Sequence, residues 1–489
     1  MNRILNIPMI ARTLGFLLLI EAAFMVVPVL VALGYGDPGS ARAFGIAAGA
    51  TLAAGLGATF LIRPKHRDMS RRDFIMLTAL IWVVFSLFGL IPYMLAPSAG
   101  LDFSEAFFEA MSSFTTTGAS LVDNTDDLSH ALHLWHCMSE WIGGLGIILF
   151  TLALVPMFNS SGGMQMFNAE QTQLFSNKLS PRISSTARLI WVVYILLSAI
   201  LFVLLWLGPM SAFEAICHAM ATMSTGGFST YSVGINSFGS VYIKVIITIF
   251  MFIGGVNFGL IFHAASGRPG MLFHNDVFRA FCRCIAAATI ITAVCVVANG
   301  AYTGWESITI DPLFQVVSFI TSTGFMLSSY SNWGTTVMAL SLILIFIGGC
   351  AGSTSGGAKI DRVMYMSKFL RNEVTRILRP NAVLSVRVSK RTVGQSVMNK
   401  VMAFLCLYTI IMLLGSLLLT ICGVPMSDAL VASLTAMSNI SLSVADSTMG
   451  CDYQAFSDGA HFVLSGLMLT GRLEIFTIVV ILSRAFWHR

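Results

Sequence analysis

Phe103-Ser-Glu-Ala-Phe-Phe-Glu-Ala-Met-Ser-Ser-Phe-Thr-Thr-Thr-Gly118 is a moderately apolar stretch, too short to cross a bilayer, that ends in a cluster of small residues. The pattern returns as Ala212-Phe-Glu-Ala-Ile-Cys-His-Ala-Met-Ala-Thr-Met-Ser-Thr-Gly-Gly227, as Asp311 through Ser322-Thr323-Gly324, and as Asp428 through Ser438-Asn439-Ile440-Ser441. An acid stands 13 positions before the last residue of each cluster: Glu105, Glu214, Asp311 and Asp428. Successive cluster ends lie 109, 97 and 117 residues apart. One offset kept at four places is the mark of an internal repeat.

Each unit reads as a span, a half-length helix entering from outside, an extended return and a second span. Acids favour a helix N-terminus, where they complement the macrodipole. The opposite end of each short helix then points inward and carries free carbonyls. Non-helical backbone at that depth survives only inside protein or along a water-filled cavity. Four such turns around an axis make a ring of carbonyls able to replace a cation's hydration shell. Glycine suits such a turn, since it reaches positive φ without strain and adds no side chain to the bore. The plainer alternative is four packed, inert hairpins.

The rest of the chain supplies the solvent for this reading. Of 489 residues, 56% are hydrophobic and 10% charged, with a mean hydropathy of +0.82. A soluble surface needs roughly 25% charge, so a soluble enzyme, a nucleic-acid-binding domain and a disordered chain are poor readings. Apolar stretches at 13–34, 43–62, 74–96, 131–157, 186–208, 238–263, 280–299, 336–370, 401–422 and 460–486 predict about ten spans. Residues 13–33 exceed a signal-peptide core and count as the first span. Of 28 Lys and Arg, all but Arg42, Lys244, Lys359 and Arg472 fall on alternate connections, which the positive-inside rule makes cytoplasmic together with both termini. The opposite connections are acidic, and a negative outer face concentrates cations. The nine cysteines form no framework, and Cys282-Arg-Cys284 is too isolated to argue for zinc.

The four turns resemble the selectivity-filter loops of the Trk/Ktr/HKT superfamily of cation transporters, in particular its TrkH-like membrane subunits of bacterial potassium-uptake systems. Asn159-Ser-Ser-Gly-Gly-Met-Gln-Met-Phe-Asn-Ala-Glu170, Gly348-Gly-Cys-Ala-Gly-Ser-Thr-Ser-Gly-Gly357, Pro380-Asn-Ala-Val383 and Gly471-Arg-Leu-Glu-Ile-Phe-Thr477 carry the likeness further. The resemblance implies an all-α polytopic membrane protein: two N-terminal helices (1–69), then four pseudo-symmetric pore repeats at 70–160, 161–265, 266–372 and 373–489 around a central pore. It implies K⁺ as the transported ion, no organic cofactor, and a potassium filter at Thr117, Gly118, Gly226, Gly227, Thr323, Gly324, Ile440 and Ser441. It further implies a homodimer in lipid in the bacterial inner membrane, regulated by a cytoplasmic nucleotide-binding ring of the TrkA type. The fourth turn departs from the family's Asn-x-Gly: Asn439-Ile440-Ser441 puts a hydroxyl where the family has glycine. A sodium-permeable or weakly selective relative is the alternative this raises.

Gly348-Gly349-Cys350-Ala351-Gly352-Ser353-Thr354-Ser355-Gly356-Gly357 interrupts the 336–370 stretch with five glycines, each costing a helix about 1 kcal/mol relative to Ala. Its place after the third turn predicts a movable barrier beneath the ring; close packing or a kink is the alternative. Arg472 lies in the last apolar stretch, where an intramembrane charge suggests function. Facing the path, it would oppose a cation by about 4 kcal/mol at 4 Å and an effective dielectric of 20. A structural pair with Glu474 or with loop carbonyls is the other reading. Lys359 anchors the loop or reaches the cytoplasmic interface.

His133, His136 and Glu140 share a helical face and allow a metal site, hence an intramembrane metal enzyme as a remote second function. A polar outer-interface face is the plainer reading. No G-x-x-x-x-G-K loop is visible, so ATP binding is not expected on this chain. The basic 362–400 segment suits anionic lipid or an acidic regulatory partner.

Overall fold

Long apolar helices alternate with shorter ones in the computed structural model, which describes residues 5–64, 69–122, 125–146, 183–301, 304–327, 330–382, 384–389, 391–442 and 452–488. Six helices are long and apolar enough to cross a membrane unbroken: Ile7–Gly34, Pro38–Leu61, Arg71–Leu95, Ala187–Trp206, Asp276–Ala298 and Gln395–Ile421. Their outward faces carry exposed apolar side chains such as Leu30, Val192, Ile290 and Leu417, a surface that lipid solvates. Two further spans are bent, Val241–Gly254 with Phe258–Ala265 by 106° and Asp458–Arg472 with Phe476–Leu482 by 114°. The expected continuous spans 238–263 and 460–486 are thus corrected to broken ones. The 131–157 stretch is described as far as 146, where His130–Gly144 has just ended. Among the described residues the β structure is a two-stranded ribbon, Arg387–Val388 with Arg391–Thr392.

The short helices that lead into the four clusters are Phe103–Phe114, Ala212–Ser224, Trp305–Ile320 and Met426–Ser438. Local sequence explains where they start. Asp102 accepts the Glu105 amide at 2.9 Å while the Glu105 carboxylate takes the Asp102 amide at 3.0 Å, a reciprocal cap. Ser211 and Glu214 repeat it, at 3.3 and 2.7 Å. Asp428 sits in the first turn of its helix.

The third repeat corrects the expectation. Its helix begins at Trp305, Glu306 occupies the first turn, and Asp311 is buried within the helix. Asp311 is stabilised instead by Lys244 of the second repeat, 2.8 Å away. The division drawn at 372/373 falls inside the helix Ile360–Leu378.

A candidate cation filter and the loop beneath it

Each short helix ends in the same backbone gesture. The residue two before the end of each cluster is left-handed: Thr116 (φ 58°), Thr225 (56°), Ser322 (51°) and Asn439 (49°). Such a conformation costs a non-glycine residue on the order of 1 kcal/mol or more, and it persists where the surroundings impose it. Gly118 (70°), Gly227 (80°) and Gly324 (86°) are left-handed in turn, whereas Ser441 is not. Between these positions, the amides of Thr117, Gly226, Thr323 and Ile440 point back to the carbonyls of Ser112, Ala221, Ser318 and Thr435, at 2.8, 3.0, 2.9 and 3.1 Å. All four residues are buried. No hydrogen bond among the described residues ends on their own carbonyl oxygens. Buried carbonyls are almost always paired, so four equivalent orphans ask for a ligand.

The four turns close into a ring in chain order. A Cβ added at Gly118 would overlap the Gly226 carbonyl, and one at Gly227 the Thr323 carbonyl. At Gly324 it would stand 3.0 Å from the Ser441 carbonyl oxygen. Asn439 Nδ2 completes the circuit by donating to Thr117 Oγ1 at 3.3 Å. Thus Thr117, Gly118, Gly226, Gly227, Thr323, Gly324, Ile440 and Ser441 come together from across the chain.

Side chains hold the turns from behind. The Ser112 hydroxyl donates to the Ala119 carbonyl at 2.6 Å, and Ser318, its equivalent, to Phe325 at 2.7 Å. Thr115 with Thr117, and Thr321 with Thr323, link hydroxyls at 2.9 and 2.8 Å. Nine residues before the cluster end, Glu109 accepts from Ser120 Oγ and Leu121 N, both at 2.9 Å. Gln315 accepts from Leu327 N at 3.1 Å, and His218 faces Ser229 Oγ at 3.3 Å. Sequence reasoning missed these three residues. The signal was a constant offset of nine from the cluster end, occupied by three different polar types.

The glycine-rich segment packs against the second, third and fourth repeats next to the ring. Cys350 N donates to Gly255 O at 2.9 Å, and Asn257 Nδ2 to Ala351 O at 2.7 Å. The Gly352 carbonyl accepts Phe258 N at 3.0 Å, and Thr354 Oγ1 donates to Gly254 O at 3.1 Å. Ser353 Oγ donates to Cys350 O at 2.6 Å and meets Ser355 Oγ at 2.7 Å. The amide of Gly356 donates to the left-handed Ser322, and a side chain at Gly356 would strike the Ser438 carbonyl. Gly349 abuts Ser355, and Gly357 abuts Gly348, where the break begins. Lys359 is buried and donates to the Ser355 carbonyl, so it anchors the loop.

Arg472 joins the loop to the first repeat. Its guanidinium donates to Thr354 O at 3.1 Å, to Thr116 Oγ1 at 3.0 Å, to Gly144 O at 2.7 Å and to Gly143 O. Of the two structural readings, the carbonyl one holds: Glu474 pairs instead with Arg362 at 2.6 Å. Gly143 presses on the Phe114 carbonyl and Gly471 on that of Met437, each at the end of its own repeat's short helix. Gly144 and Gly255 press on Ser224 and Thr321 of the following repeat. Arg472 holds the corresponding second place after Gly471 and reaches the first repeat, next around the ring.

His136 and Glu140 come together, but His133 does not join them. His133 meets the Thr125 carbonyl at 2.7 Å, whereas His136 lies between Glu109 and Glu140. Among the described residues no group of three or more His, Cys, Asp or Glu could hold a metal ion, Cys282 and Cys284 included. The 159–170 stretch lies outside the described residues.

Comparison with known proteins places this geometry. The TrkH family, described as cation transport protein, matches residues 42–272 and 287–489. The Trk system potassium uptake protein TrkH of Escherichia coli K12 is 34% identical over 98% of this chain and 99% of its own. TrkH of Halomonas elongata is 32% identical over 99% and 100%. The crystal structure of the potassium transporter TrkH from Vibrio parahaemolyticus superposes with a TM-score of 0.88 at 31% identity, covering 99% of this chain and all of that one. These relatives are transporters and not enzymes. With the family matched across most of its length and the fold shared end to end, this chain belongs to the TrkH family of cation transport proteins.

Proposed function

We propose that this chain takes up K⁺ through the ring formed by its four turns, as the membrane subunit of a Trk-type system in a bacterial inner membrane, with both termini cytoplasmic. The observation that carries this reading is the set of four buried carbonyls, on Thr117, Gly226, Thr323 and Ile440, that accept no hydrogen bond among the described residues. A dehydrated monovalent cation supplies what they lack. The four repeats drawn from the sequence each contribute one turn to this ring.

The 348–357 loop, with Arg472 and Lys359, is the barrier beneath the filter. Two cationic side chains and a plug of small residues oppose a cation leaving the ring toward the cytoplasm. A homodimer in lipid, regulated by a TrkA-type nucleotide-binding ring docking on the basic 362–400 segment, completes the assembly, and a change in that partner draws the loop aside. Ser441 favours a second reading for selectivity. Its backbone is not left-handed as the three glycines are, so the fourth ligand position is built differently and Na⁺ competes better than in a ring of four glycines.

Rb⁺ uptake into membrane vesicles at clamped potential, with Na⁺ as competitor, tests the reading. Saturable uptake that K⁺ inhibits more strongly than Na⁺ is expected. Absence of cation flux with the barrier segment deleted would contradict it.

A further inference from the structure

Behind the first two turns lies a buried acid–imidazole–acid chain. His136 Nδ1 faces Glu109 at 3.2 Å and Nε2 faces Glu140 at 3.6 Å, with every side chain at most 1% exposed. The imidazole stacks on Phe228, the residue after Gly227, at 3.9 Å and 17°. The two carboxylates are unlike. Glu109 accepts two hydrogen bonds from the returning segment of its own repeat, both at 2.9 Å. Glu140 has no bonds of that length among the described residues; its nearest polar neighbours are His136 Nε2, at 3.6 Å, and the Phe228 amide.

Glu140 instead lies against the ring. A Cβ at Gly226 would stand 2.5 and 2.6 Å from its two oxygens, and one at Gly118 would stand 3.3 Å from Oε1. Gly226 carries one of the four orphan carbonyls. The carboxylate therefore touches the back of the ring where the first and second repeats meet. A carboxylate so sparsely hydrogen-bonded, buried at this depth, is costly, and an uncharged side chain of the same size would fill the space more cheaply. In a low dielectric its charge acts strongly on a cation at the carbonyls in front of it.

We propose that Glu140 is a specificity-determining residue of the ring: oriented by His136 and Glu109, its buried carboxylate raises the affinity of the site between the first two turns for a dehydrated monovalent cation. The proposal rests on the filter reading above.

A crossed pair of variants tests it. Glu140→Gln keeps size and removes charge; Glu140→Asp keeps charge and leaves a gap. Both are made in the full chain, with Rb⁺ uptake measured in membrane vesicles against competing Na⁺. Charge as the cause predicts that Glu140→Gln raises the half-saturating Rb⁺ concentration about tenfold and weakens discrimination against Na⁺. Glu140→Asp then stays within about twofold of the parent. A role in packing alone predicts the reverse order, and Glu140→Gln with parental half-saturation overturns the proposal. If Glu140→Gln yields no folded protein, Glu140→Asp decides: parental half-saturation supports the charge, and a tenfold rise overturns it. A parent chain that carries no Rb⁺ strikes the filter reading itself, whereas a parent that carries Rb⁺ alongside an unaltered Glu140→Gln strikes this proposal alone.

Discussion

In the third repeat, Ser318 and Gln315 reach from the short helix to the returning segment and fasten it at Phe325 and Leu327. At the same offsets in the fourth repeat stand Thr435, whose hydroxyl bonds to Ala432 of its own helix at 3.0 Å, and Ala432, which has nothing to donate or accept from its side chain. The third ends in a left-handed glycine and the fourth in a serine that is not left-handed. Yet the two share the inward turn, with Ser322 and Asn439 both left-handed. The helix end and the backward amide define the ring. The fastening behind it varies: neither of these two side-chain ties recurs at the same offsets in the fourth repeat among the described residues. At roughly 1 kcal/mol for each hydrogen bond, the difference is enough to loosen one turn relative to another without unfolding it.

The most damaging change follows from the part that the repeats share. Gly227→Ala places a methyl on the Thr323 carbonyl in a left-handed backbone, and a penalty of about 3 kcal/mol or more cuts Rb⁺ uptake at least about a hundredfold. Uptake near the parental rate would mean that the second and third turns do not meet. Next comes Arg472→Gln, which removes the charge and most of the bonds that tie Thr354 to the first repeat. Resting Rb⁺ flux without a regulatory partner is expected to rise about tenfold.

Smaller effects separate the two quadrants directly. Ser318→Ala should lower the K⁺/Na⁺ uptake ratio about fivefold through the lost tie to Phe325, whereas Thr435→Val should change it less than about twofold. Equal effects would remove the distinction. Smallest is Ser441→Gly, which restores a residue able to turn left-handed and should raise the K⁺/Na⁺ ratio about two- to threefold. An unchanged ratio would show that the hydroxyl position does not discriminate.

The ring was legible because its makers are local. Caps at Asp102 and Ser211, small clusters and a constant offset survive in any single unit. The loop at 348–357 was legible for a related reason, since five glycines in ten residues are incompatible with a helix. What failed depended on distant partners. Asp311 obeys the offset, yet it is paired with Lys244, 67 positions away. The bends after Gly254 and Arg472 leave little trace in averaged hydropathy, because the helices on either side are apolar enough for each pair to read as one span. Arg472 stood out as a charge in an apolar stretch, but its partners at Thr116, Gly143 and Thr354 come from two other repeats. Glu109, His218 and Gln315 share a position and no chemistry, so residue type alone could not link them.

Anomalous diffraction from crystals of the protein soaked in Rb⁺ tests the central claim most directly. The account predicts one strong peak on the axis of the ring, ligated by the carbonyls of Thr117, Gly226, Thr323 and Ile440. A ring without rubidium, in crystals that bind it elsewhere along the membrane-embedded region, would contradict it.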